Sequence, residues 1–201
     1  MKKIILATKN NGKAKEFKEI FGSIGIEIVT LLDLEEDIPE IEETGETFEE
    51  NAAIKAETIA DRFQMPVMGD DSGLEIDALD GKPGVYSARY AGLEKSDQKN
   101  MEKVLSELDG VEQDERTARF VCVLALAVPG KETVLKRGRC EGRIGFEPIG
   151  DKGFGYDPIF YPDGYDQTMA QLEPEEKNRI SHRRDAINQM MDWLKENPLA
   201  E

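Results

Sequence analysis

From Phe120 to Val128 the chain places nine apolar residues in succession, rich in valine and leucine. Pro129-Gly130 follows, and then a second run with apolar and polar positions alternating from Thr133 to Ile144. Arg116 to Val128 and Thr133 to Ile144 therefore read as the two strands of a long buried hairpin turned at Pro-Gly. They look like scaffold and carry no evident chemistry.

Around that hairpin the elements can be taken in order. Lys3 to Ala7 reads as a buried strand, Thr8-Lys9-Asn10-Asn11-Gly12-Lys13 as a polar loop, and Ala14 to Phe21 as the start of an amphipathic helix. Such a loop gathers backbone N–H groups at a helix N-terminus, where they favour an anion, and Lys13 adds a point charge. The Gly-x-x-x-x-Gly-Lys-Ser/Thr spacing of a P-loop is missing, so a plain polar helix start is an equal reading. Ile26 to Leu32 is a second expected strand.

Leu34 to Glu50 is an acidic connection that includes Glu42 and Glu43, and Thr47-Phe48-Glu49-Glu50 forms a capping box that starts a helix. Phe48, Ala52, Ala56, Ile59 and Phe63 fall on one face of it. Lys55 sits at the edge of that face, one turn beyond Asn51. It either snorkels to water or directs its ammonium at a phosphate or carboxylate.

Pro66-Val67-Met68 reads as a strand ending at Gly69-Asp70-Asp71-Ser72-Gly73. Side chains alternate along an extended chain, so Asp70 and Asp71 should face opposite ways, with one of them in a reaction centre. An ordinary Asp-Ser-Gly turn is the competing reading. Ser96 to Leu108 reads as a surface helix capped by Ser96, with Met101, Val104, Leu105 and Leu108 as its apolar side.

In Gly153-Phe154-Gly155-Tyr156-Asp157-Pro158 the glycines flank an aromatic ring, which is either a stacking platform for a base or a turn packed on the core. Lys177-Asn178-Arg179-Ile180-Ser181-His182-Arg183-Arg184 leads into a last helix burying Ile187, Met190, Met191 and Leu194, with Ser181 as its cap. Cations in a first turn oppose the helix dipole; a bound anion, a row of carbonyl oxygens or simple solvation would accommodate them.

Composition narrows the classes. The chain has 201 residues, enough for one well-packed domain spanning 1–201, and shows no internal repeat. A net charge of −16 argues against a nucleic-acid partner or an anionic membrane surface, so an anionic ligand needs a local basic pocket or an accompanying cation. Cys122 and Cys140 make no disulfide framework, and the single histidine, His182, excludes a His-rich metal site. The apolar part of the start is too short for a signal peptide and no run would span a bilayer, so a cytoplasmic protein is expected.

Six ordered blocks then act together: residues 8–13, Glu42 to Ala52, Asp70 to Leu74, Pro83 to Tyr90, Phe154 to Pro158, and Ser181-His182-Arg183. In these the chain resembles the inosine/xanthosine triphosphate pyrophosphatase family over nearly its whole length. Lys9 stands where many members carry glycine, and Gly69 where alanine is frequent. The resemblance implies an α/β fold, with an elongated mixed central sheet flanked by helices and two lobes around a deep cleft, in a homodimer. It implies hydrolysis of ITP, dITP and XTP to monophosphate and pyrophosphate, with Mg2+ held by Glu42 and Asp71 and with Asp71 also acting as base or orienter for the attacking water.

It further implies substrate contacts from Thr8, Lys9, Asn10, Asn11, Gly12, Lys13, Ser72, Gly155, Tyr156, Asp157 and Lys177. Phe154 would stack on the purine, His182 and Arg183 would read its 6-oxo group, and Lys55 joins on the helix-face argument. Pyrophosphatase chemistry on modified pyrimidines or methylated nucleotides, and a non-enzymatic nucleotide-binding module, are the alternatives.

Overall fold

The computed structural model describes residues 2–34, 36 and 38–199; Met1 of the expected short apolar start, Glu35 and Asp37 of the acidic connection, and residues 200 and 201 lie outside them. In chain order the elements are β1 (Lys2–Leu6), α1 (Asn11–Gly22), β2 (Ile26–Thr30), α2 (Phe48–Phe63), β3 (Val67–Ile76), α3 (Asp97–Glu107), β4 (Thr117–Ala127), β5 (Val134–Ile144), β6 (Phe160–Pro162), α4 (Pro174–Ile180) and α5 (His182–Glu196). The strands form one mixed sheet in the order β2-β1-β3-β4-β5-β6, flanked by helices. β1 pairs in parallel with β2 and β3, and β5 pairs antiparallel with β6. The chain divides into two compact units.

The first unit comprises the chain through Asp71, Val123–Arg137 and the chain from Ile187. Ile4, Ile5 and Leu6 of β1 are fully buried, as a strand hydrogen-bonded on both edges and covered on both faces must be. α1 buries Ala14, Phe17 and Phe21, whose two rings stack with centroids 5.8 Å apart. α2 begins at the expected capping box, Thr47 accepting the Glu50 N–H and Glu50 returning to the Thr47 N–H. Its small residues lie very close to β3: a Cβ on Gly69 would stand 2.5 Å from the Ala52 carbonyl oxygen. Gly69 is thus the residue that lets helix and strand backbones touch.

The second unit comprises Ser72–Cys122 and Gly138–Ala186. Its core joins Leu74 and Ile76 of β3, Val104 of α3, Leu108 just after it, and Phe120 and Phe160, whose rings meet at 4.4 Å. Gly138 plays the same part here as Gly69 does above. An added Cβ would collide with the His182 carbonyl and the Ala186 amide, so the start of α5 rests directly on β5.

Four expectations are corrected. Helix α1 starts at Asn11 rather than Ala14, because the Asn10 side chain accepts the Lys13 N–H at 3.0 Å and caps it. β2 stops at Thr30, where Asp33 accepts the Thr30 N–H and hydroxyl at 2.8 and 2.9 Å and closes a 3₁₀ turn. β3 does not end at the Asp pair; it runs on through Asp70, Asp71, Ser72 and Gly73 to Ile76, which removes the turn reading. Helix α4 was not foreseen, its strongly charged sequence having no apolar stripe to betray it.

Candidate active site

In the first unit the end of β1, the start of α1, the acidic connection, α2 and β3 supply one group of charges. Thr8 follows β1 and its Oγ1 accepts the Asn10 N–H at 3.1 Å, while Asn10 spends its own side chain on the cap. That cap orients the first turn of α1, and Lys13 donates from Nζ to Asp70 Oδ2 at 2.5 Å. Asp70 is 3% exposed, so the ion pair answers the large cost of a carboxylate in the interior. Lys9, Asn11 and Gly12 stay exposed on the outer side of the turn.

Lys55 does not snorkel. Its Nζ meets Glu43 Oε1 at 2.5 Å, with side-chain exposures of 17% and 28%. Burial works against its charge, but the carboxylates of Asp70, Glu43 and Asp71 outweigh burial and hold its pKa above the ordinary lysine value. Lys55 therefore remains an ammonium among three carboxylates. One turn earlier Asn51 is 1% exposed; its Oδ1 takes the Gly45 N–H at 2.8 Å and its Nδ2 has no hydrogen-bond partner among the described residues.

Glu42 is exposed and Asp71 half-buried. Among the described residues no three His, Cys, Asp or Glu side chains form a cluster able to hold a metal ion. Sequence reasoning singled out Lys13, Lys55 and Asp71, whereas the pairing roles of Asp70 and Glu43 emerge only from the fold.

In the second unit the glycine-flanked aromatic is fixed by its neighbours. Gly153 and Gly155 both adopt left-handed φ, +77° and +61°. At Gly153 even a methyl group would strike the Asp157 carboxylate, which is 5% exposed as a residue and ion-paired to Lys177 Nζ. The same carboxylate accepts the Phe154 N–H at 3.0 Å, and Lys177 Nζ lies 5.0 Å from the Phe154 ring centroid. Phe154 as a residue is 68% exposed, so it is not the packed core aromatic of the competing reading. Tyr156 is instead the core member, 4% exposed, with Oη donating to the Ser87 carbonyl at 2.7 Å and burial pushing its pKa up. Ser72 is half-buried.

At the start of α5, Ser181 Oγ accepts the Arg184 N–H at 3.1 Å, confirming the cap. The His182 ring stacks on Phe120, centroids 5.1 Å apart and planes 21° from parallel, which sets its orientation. His182 and Arg183 are half-buried. Asp185 also falls in this first turn and accepts the Arg139 N–H at 3.1 Å, so the turn is not purely cationic. Asp185 is legible in the sequence as the acid that the helix dipole favours there.

Strand order and flanking helices make this an α/β fold, and it is shared with the Ham1 proteins of Staphylococcus aureus and Coxiella burnetii. Both superpose with a TM-score of 0.91, at 46% and 42% identity, each covering 98% of this chain and 100% of the other. The Ham1 family model matches residues 4–193, and the chain belongs to that family. Among its relatives, it is 64% identical to a protein of Oceanobacillus iheyensis named dITP/XTP pyrophosphatase, over 96% of this chain and 98% of that protein. The resemblance read from the six blocks is borne out.

Proposed function

We propose that this chain hydrolyses dITP, ITP and XTP to the nucleoside monophosphate and pyrophosphate. The observation that carries the reading is the set of half-buried and buried charges around Asp70 and Asp71, in which Lys13 is paired to Asp70 and Lys55 stays an ammonium among carboxylates. The near-full-length identity to a protein named dITP/XTP pyrophosphatase supports it. Lys13 and Lys55 bind the phosphates, aided by Thr8 and Ser72. Asp71 accepts or orients the proton of the attacking water as an oxygen–phosphorus bond forms and the bond to the pyrophosphate leaving group breaks.

Magnesium fits the donor chemistry. It takes hard oxygen ligands and commonly binds through one or two carboxylates plus substrate phosphates, and Asp71 and Glu42 would be the residues to hold it. When bound it neutralises phosphate charge and acidifies a coordinated water. The exposed Phe154 ring stacks on the purine, with Lys177 and Asp157 fixing the loop beneath it. His182 and Arg183 donate to a 6-oxo group; adenine offers a donor at that position and leaves them unsatisfied. The reading includes a cytoplasmic homodimer.

Product analysis tests the reaction: pyrophosphate and IMP are expected from ITP, whereas orthophosphate and IDP reject it. Asp71→Asn is expected to lower kcat by at least about 100-fold with an unchanged melting temperature. Activity retained at saturating magnesium removes Asp71 from that role.

A further inference from the structure

We propose that Asp97, at the first position of α3, is a positioning residue for the purine, holding the Gly155 amide and thereby setting the plane of the Phe154 ring; the proposal rests on the nucleotide reading above. Phe154 as a residue is 68% exposed and is carried between two glycines, which leave its backbone free to turn. Two amides fix it. Phe154 N–H donates to Asp157, a residue of the same loop, and Gly155 N–H donates at 2.8 Å to Asp97 Oδ2, 58 positions away in sequence. The first bond is made within the loop, with its acceptor held by Lys177 of α4; the second ties the Gly155 amide directly to α3.

That helix is itself secured. Ser96 caps it, Asn100 Oδ1 accepts the Ala91 N–H at 2.7 Å, and Asn100 Nδ2 donates to the Ala88 carbonyl at 3.2 Å. Tyr156, next to the loop, donates to the Ser87 carbonyl of the same segment. The loop is thus hung from the 87–91 segment on one side by Tyr156 and on the other by Asp97 through α3. An acid at a helix start is favoured by the dipole whether or not it binds anything else. The bond to Gly155 is what separates a stacking role from simple helix stabilisation.

The test is steady-state ITP hydrolysis by the full chain carrying Asp97→Ala, Asp97→Asn, Phe154→Ala, or Asp97→Ala with Phe154→Ala. Asp97→Ala is expected to raise KM for ITP about tenfold while kcat stays within about twofold. Asp97→Asn keeps an oxygen that accepts the amide and should stay within about threefold of the parent. On the Phe154→Ala background Asp97→Ala should add less than about twofold, because the ring it positions is gone. Full additivity there, equal losses for Ala and Asn, or a fall in kcat at constant KM overturns the proposal. Should Asp97→Ala fail to fold, Asp97→Ser serves: it preserves a helix-start residue but is too short to reach Gly155, and the same KM shift is expected. Hydrogen exchange at the Gly155 amide reads the clamp without substrate and should accelerate in Asp97→Ala; unchanged exchange sinks the clamp. A parent protein inactive on ITP, dITP and XTP sinks the nucleotide reading instead.

Discussion

Arg116 takes a full charge into the interior and meets it with peptide oxygens and with the Phe146 ring, whose centroid lies 4.2 Å from its Cζ. It is 2% exposed and donates from Nε to the Ile144 carbonyl, from Nη1 to those of Leu108 and Val111, and from Nη2 to that of Gly145, at 2.9 to 3.2 Å. Burial lowers its pKa and the field of Asp109 opposes that, yet a guanidinium keeps its proton in proteins. Its fork fastens the end of α3 to the ends of β4 and β5, a task a single ammonium cannot match. Arg116→Met preserves the apolar stem and orphans the carbonyls; a loss of about 3–5 kcal/mol is expected, measured as a lower urea midpoint at constant m. Nothing near Arg116 in the sequence announces this, since its four acceptors come from two separate stretches, 108–111 and 144–145. Lys55 was half legible: helical spacing put it at the edge of a buried face, but Glu43 as its partner requires the path of the acidic connection.

Elements were read well where their signals are local. The Thr47 capping box, the Ser96 and Ser181 caps and the Pro129-Gly130 turn each depend on residues within a few positions of one another, and all stand in the structure. β3 was misjudged because Asp-Asp-Ser-Gly has turn chemistry; its neighbours in the sheet keep it extended where its own composition would not. The 3₁₀ turn after β2 depends on Asp33, whose pKa is held down to about 2 from 3.8 by the Lys18 ammonium at 2.8 Å, then by the Thr30 N–H and hydroxyl. A depressed carboxylate stabilises fully above its unfolded value and loses that contribution as pH falls through its folded value. Asp33→Asn is therefore expected to melt below the parent at pH 7, with the gap closing between pH 3.8 and about 2. Melting temperatures taken across that window check it; a constant gap contradicts the assignment. The side chain is 44% exposed, so the difference will be modest and smaller in high salt.

At the scale of the whole molecule the main fact is a charge of −16 in a protein read as acting on polyanions. Turnover compared across ITP, XTP, dITP, GTP and ATP, with and without magnesium, addresses this directly. The 6-oxo purines lacking a 2-amino group are expected to exceed ATP by at least about 100-fold in kcat/KM, and chelation is expected to abolish the reaction. Comparable rates on ATP refute the role given to His182 and Arg183. Lys13 and Lys55 are each already joined to a resident carboxylate, Asp70 and Glu43. A ligand must outcompete those tenants, so what it gains at each ammonium is only the difference between two ion pairs. A lone orthophosphate or sulfate profits little from such an exchange, whereas a connected chain of phosphates can displace both tenants in a single encounter. Under the function proposed above, such an arrangement would work as a valency filter, discriminating by the number of linked anionic groups.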